Sequence, residues 1–88
     1  MQVLFTNQFA KDIRKLKDKS LAQNIELIIN AVKDANNLSE ITNVKKLKGH
    51  QYAYRIRIGD YRIGIFSKGD TIEFACFMSR KDIYKYFP

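Results

Sequence analysis

The stretch Tyr54–Phe66, YRIRIGDYRIGIF, decides the fold. Apolar residues alternate with other, mainly basic, residues on either side of Gly59-Asp60, the period of a strand with one face on a core. Glycine at the first central position supplies the positive φ of a type II′ turn, which predicts a two-residue hairpin. Its register sets Ile58 against Tyr61, Arg57 against Arg62, Ile56 against Ile63 and Arg55 against Gly64. Like charges thus oppose each other, an arrangement that weakens a sheet rather than stabilising it.

The same period extends in both directions. VKKLKGHQ, Val44–Gln51, leads into Tyr52, Tyr54, Ile56 and Ile58, alternating with Ala53, Arg55 and Arg57; TIEFACFM, Thr71–Met78, forms a further strand after SKGD. With Lys68-Gly69 at the centre of that second turn, Gly64 faces Glu73, Ile63 faces Phe74 and Arg62 faces Ala75. One sheet face then carries Ile56, Ile58, Ile63, Ile65, Ile72, Phe74, Cys76 and Met78, a core expected to lie under helices. The other carries Arg55, Arg57, Arg62, Gly64, Glu73, Ala75 and Phe77. Residues two apart on a strand are about 7 Å apart and cross-strand neighbours about 5 Å, so three guanidinium groups gather beside small residues. A ligand with several negative charges would relieve their repulsion. The plainer alternative is a solvated face in which arginine stems cover apolar surface and Glu73 pairs with Arg55.

Upstream, MQVLFT reads as a strand. Phe9, Ile13 and Leu16 then recur at helical spacing, with Thr6 or Asn7 as N-cap. Asp18 to Ser20 ends that helix and caps a longer one, whose apolar stripe is Leu21, Ile25, Ile28, Val32 and Ala35. So short a connection predicts an antiparallel helical hairpin. The expected class is α+β: an N-terminal strand, the helical hairpin, then an antiparallel β-meander with the helices packed on one face. Near the end, Ser79 followed by Asp82 resembles a capping box and would begin a short helical turn, bringing Arg80, Lys81 and Tyr84 back to the cationic face. An 88-residue chain suits one domain over residues 1–88.

The net charge of +7 favours polyanions and acidic proteins as partners. Residues 1–43 hold six Lys or Arg against five Asp or Glu, and residues 44–88 hold ten against four, which directs the search for a functional surface to the second half. Cys76 is the only cysteine, which rules out an internal disulfide, and alternation turns it inward, where it makes a poor nucleophile. One cysteine and one histidine, His50, cannot assemble a metal-ligand set, so neither metal nor other cofactor is expected. No apolar run suits a membrane span or secretory leader, and a cytoplasmic protein is expected. Tyr84 beside arginines could stack a base while phosphates are held, whereas Tyr86 and Phe87 read as packing.

Taken together, KLKG (Lys46–Gly49), YRIRIGDYRIGI (Tyr54–Ile65) and SRKDIY (Ser79–Tyr84) resemble the RelE/ParE superfamily of toxins from type II toxin–antitoxin systems. The resemblance to its RelE-like branch implies an endoribonuclease that enters the ribosomal A site and cuts mRNA without a metal, the ribose 2′-OH attacking the adjacent phosphate. Arg55, Arg57, Arg62 and Arg80 match its charge-stabilising positions and Tyr84 its tail tyrosine. Lys45, Lys46, Lys48 and Lys81 extend the basic surface as candidate RNA contacts. Members often carry lysine or histidine where this chain has arginine, and arginine cannot serve as general base; Lys81, Tyr84, Glu73 and His50 are the available bases. The alternative is a gyrase-poisoning or catalytically decayed ParE-like toxin that only binds. Either branch implies a cognate antitoxin whose acidic contacting segment covers the arginines.

Overall fold

A computed structural model describes residues 1–88. The chain runs β1 (Gln2–Phe5), α1 (Asn7–Arg14), α2 (Lys19–Asp34), a short 3-10 turn, β2 (Val44–Lys46), β3 (Ala53–Ile58), β4 (Tyr61–Lys68), β5 (Thr71–Ser79) and α3 (Arg80–Tyr86). The strands form one sheet in the order β1-β5-β4-β3-β2, with β1 parallel to β5 and every other pair antiparallel. This is the α+β arrangement expected from the periodicities.

The helical hairpin forms because its caps and apolar stripes agree. Thr6 Oγ1 accepts the Phe9 N–H at 3.0 Å, and Asp18 Oδ1 accepts that of Leu21 at 3.1 Å. Such caps contribute about 1 kcal/mol each. Phe9, Ile25 and Val32 then close over Ile56, Ile63, Ile65, Ile72, Phe74 and Phe77, the principal core. Burying each of these large side chains stabilises the fold by about 1.5–3 kcal/mol. On the opposite face α3 seals a second, smaller core of Leu47, Ala53, Cys76, Ile83 and Phe87. The sheet is therefore packed on both sides.

The first hairpin has the predicted register, Arg57 opposite Arg62 and Arg55 opposite Gly64, with Gly59 at φ 60°. The second departs from it twice. Its turn centres on Gly69-Asp70, because Gly69, at φ 56°, takes the first central position just as Gly59 does. Phe66 consequently faces Glu73, and Ile65 faces Phe74, a shift that leaves each residue on its predicted face. A bulge opposite Gly64/Ile65 then leaves Ala75 without a partner and exchanges the faces of everything beyond it. Phe77 enters the principal core, while Cys76 and Met78 join the second one, the reverse of the sequence expectation. Helix α1 supports the irregularity: Thr6 Oγ1 donates to the Ala75 carbonyl at 2.7 Å, and Asp12 Oδ2 accepts the Phe77 N–H at 2.9 Å.

Two further expectations change. Tyr52 lies just outside β3, which begins at Ala53. The space beside Gly64 is filled by the chain itself, since a Cβ there would stand 2.7 Å from Cys76 Sγ and 2.9 Å from the Phe87 ring. No helix is long and apolar enough to cross a membrane.

Candidate functional site

Four elements, β2, β3, β4 and α3, carry the cationic side chains to one end of the sheet. Adjacent rows on the face shared with α3 read Lys45–Arg55–Gly64–Cys76 and Arg57–Arg62–Met78 across the strands. Helix α3 then adds the rest. Ser79 Oγ accepts the Asp82 N–H at 3.2 Å, the expected cap, and the Arg80 N–H donates to the Asp60 carbonyl at 2.9 Å, docking the helix against the β3–β4 turn. Ile83 and Phe87, one turn apart, face the sheet, and Arg80 and Tyr84, also one turn apart, share another side of the helix. Tyr84 is 63% exposed.

Arg62 is the centre of this arrangement and is only 8% exposed. Its Nη1 donates to the carbonyls of Gly59 at 2.9 Å and Tyr61 at 2.8 Å, clamping the turn. Burial, then the charge of Arg55, lowers its pKa; Arg57 and Arg80 lower it further, and Tyr84 opposes them. No carboxylate is among the groups acting on it. The Nε atoms of Arg55 and Arg62 are both buried without a hydrogen-bond partner. An unpaired buried donor costs about 1–3 kcal/mol, more when charged, so two of them on neighbouring strands need a reason.

The other candidates divide. Lys45 stands directly opposite Arg55 and belongs to the cluster, and Lys81 is exposed on α3. Lys46 is opposite Tyr54, whose ring packs against the principal core, so alternation points it to the helical side. Lys48 lies with His50 in a loop depression bounded by Lys46 and Gln51. Glu73 and His50 line a groove with Leu4, Tyr52, Phe66, Lys68 and Pro88 at the far end of the sheet. Glu73 faces Phe66, four residues and hence about 13 Å along β4 from Arg62, so it neither pairs with Arg55 nor reaches the cluster. Cys76 is no nucleophile: burial pushes its thiol up to about 11. No group of His, Cys, Asp or Glu could hold a metal ion.

Phe87 packs as expected, and its place as the lid over Gly64 is signalled only by its spacing from Ile83, whereas Tyr86, also expected to pack, is exposed. The turn carbonyls that orient Arg62 carry no side-chain signal at all.

No protein-family model matches the chain. It is 44% identical over 89 residues to Toxin RelE3 of Methanocaldococcus jannaschii, with 100% of both chains covered. It superposes on a chain of the RelB-RelE antitoxin-toxin complex from Methanococcus jannaschii with a TM-score of 0.82 and 42% identity, covering 97% of this chain and 99% of that one. An archaeal RelE-RelB complex from Pyrococcus horikoshii shares the fold, with a TM-score of 0.71 and 24% identity over 90% and 93% of the respective chains. The fold is thus one shared with a class of small toxins. The chain belongs to the RelE family of toxins.

Proposed function

We propose that residues 1–88 form a single toxin domain acting as a metal-free endoribonuclease on mRNA in the ribosomal A site, in the cytoplasm, and held inactive by a cognate RelB-type antitoxin. The observation that carries this reading is the pair of buried, unpartnered guanidinium Nε donors within an arginine cluster that no carboxylate neutralises. A scissile phosphate is a ligand of the required charge. Arg57 and Arg80 are exposed and free to grip its oxygens, while Arg62, fixed by the turn, supplies a preorganised positive field.

In the reaction the ribose O2′ bonds to phosphorus and the P–O5′ bond breaks, leaving a cyclic 2′,3′-phosphate and a 5′-hydroxyl. The 2′-OH proton passes to a base and O5′ receives one, so no water or cofactor is consumed. The arginines stabilise the additional negative charge of the pentacovalent transition state. With Glu73 and His50 at the far end of the sheet, Lys81 and Tyr84 are the candidates for proton transfer, and Tyr84 can also position a base by stacking. Similarity to RelE-type toxins favours this reading over gyrase poisoning.

Primer extension on messages after brief expression tests it. Wild-type protein should generate new 5′ ends within codons, and Arg57→Ala, at an exposed position, should lose them at least tenfold while folding normally. Growth arrest with intact messages and damaged DNA would overturn the reading in favour of a gyrase poison.

A further inference from the structure

The groove at the far end of the sheet has no part in the proposed cleavage. It encloses about 470 Å³, a size suited to a small ligand. Leu4, Tyr52, Phe66 and Pro88 form apolar walls, and Lys68 and Glu73 bring charge to them. Leu4 and Tyr52 stay exposed, so the chain itself does not cover these walls. Lys68 rests over the Tyr52 ring, its Nζ 5.1 Å from the centroid. Glu73 is half-buried on β5, directly opposite Phe66.

Helix α3 leads from the arginine cluster to this groove. Its first N–H is held by the Asp60 carbonyl, at the turn that Arg62 clamps. Beyond its other end the Phe87 ring lies 5.1 Å from that of Phe66, and Pro88 joins the groove wall. The exposed Tyr84 lies between the two ends. A nucleic-acid strand gripped at the arginines can therefore follow the helix into the groove. Glu73 stands about 13 Å along the strands from Arg62. A single strand covers that in roughly two to four nucleotides, at about 3.4 Å each when stacked and up to about twice that when unstacked.

We propose that the groove receives a guanine base of the message, roughly two to four nucleotides from the scissile phosphate. This rests on the ribonuclease reading and gives it a base preference at a position that the arginines do not touch. The Glu73 carboxylate repels phosphate, so the part of the strand that enters is the base, and the apolar walls suit a flat ring. A carboxylate accepts hydrogen bonds through both oxygens. Guanine is the base that sets two donors, N1–H and the 2-amino group, side by side on one edge, and Lys68 can donate to its O6 or N7. Adenine and cytosine each place a ring acceptor beside their amino group, which the carboxylate repels, and uracil sets a single N–H between two carbonyls. The acidic segment expected of an antitoxin would bring its own carboxylates against Glu73.

The test titrates the intact protein with 2′-O-methylated strands of about nine nucleotides, which cannot be cut. Each is adenine throughout except for guanine, inosine or adenine at the centre. Wild type should bind the guanine strand at least tenfold more tightly than the adenine strand, with inosine, which lacks the 2-amino group, in between. Glu73→Gln should abolish that preference while binding the adenine strand as Glu26→Gln does, a variant with the same charge change at an exposed position of α2. Glu26→Gln should keep the preference. In primer extension, guanine should be enriched at one position roughly two to four nucleotides from wild-type cuts, and the enrichment should vanish in Glu73→Gln while cutting continues. Equal affinity of wild type for guanine and adenine strands, or a preference that survives Glu73→Gln, would overturn the inference. So would tight binding of guanosine monophosphate with no preference between strands, which would assign the groove to a free nucleotide. Absence of cuts by wild type would overturn the ribonuclease reading instead, and the strand affinities would still judge the groove on their own.

Discussion

At Arg62 the demands of folding and of recognition conflict. A guanidinium with an unpaired Nε, under three other arginines and mostly removed from water, is a stability cost that an apolar side chain of similar length would not incur. Arg62→Met should leave the urea midpoint unchanged or raise stability by up to about 2 kcal/mol, while abolishing cleavage. A loss greater than about 2 kcal/mol would mean that the two bonds to the turn carbonyls outweigh the desolvation and repulsion. Cys76 makes the complementary case. Its thiol ionises near 9.0 when unfolded but is pushed up to about 11 in the fold, so the native state retains a proton that the unfolded chain has lost. This contribution is complete below pH 9, falls as pH rises towards 11, and amounts to up to about 3 kcal/mol. Denaturation of wild type and Cys76→Ala at pH 8 and pH 10.5 should show a steeper alkaline loss in wild type; parallel losses would remove the thiol from the account.

Helix α3 has only seven residues, and its position depends on its ends. Ser79 caps it, the Asp60 carbonyl receives its first N–H, and Phe87 lies over Gly64. Gly64→Ala should overpack this layer at a cost of about 1–3 kcal/mol, read by chemical denaturation. Adding Phe87→Ala should recover part of that loss, because the void left by one substitution accepts the methyl group of the other; additive losses would show that the two residues do not share a layer. The same region explains what sequence could and could not disclose. Gly59-Asp60 and strict alternation made the first hairpin legible pair by pair, and the arginine row followed from it. The bulge at Ala75 was hidden because its causes, Thr6 and Asp12, lie more than sixty residues away and act on backbone groups. Alternation continued through it therefore assigned Cys76, Phe77 and Met78 to the wrong faces. The capping signal at Ser79 announced α3, but nothing local announced that Phe87 would occupy the space beside Gly64.

For the molecule as a whole, charge is arranged around the end of the sheet rather than simply concentrated in half of the chain. Arg55, Arg57, Arg62 and Arg80 gather on the α3 side, and the cations of residues 11–19 are exposed along α1, its connection to α2 and the first residue of α2. Association with an acidic antitoxin should accordingly be fast and salt-sensitive. Raising salt from about 0.05 to 0.5 M should slow stopped-flow association at least tenfold with a smaller change in dissociation; a salt-independent on-rate would exclude electrostatic steering.

Because both sides of β4 are packed, the toxin's recognition chemistry is partly embedded in its own interior. Cells escaping its poison by point mutation then have two routes, which leave different residues of protein behind. Damage at Arg57, Arg80 or Tyr84 should yield a harmless product that still folds and accumulates. Damage at Gly64 should instead deplete the polypeptide itself, so survivors sorted by abundance would map which parts of the weapon also hold it together.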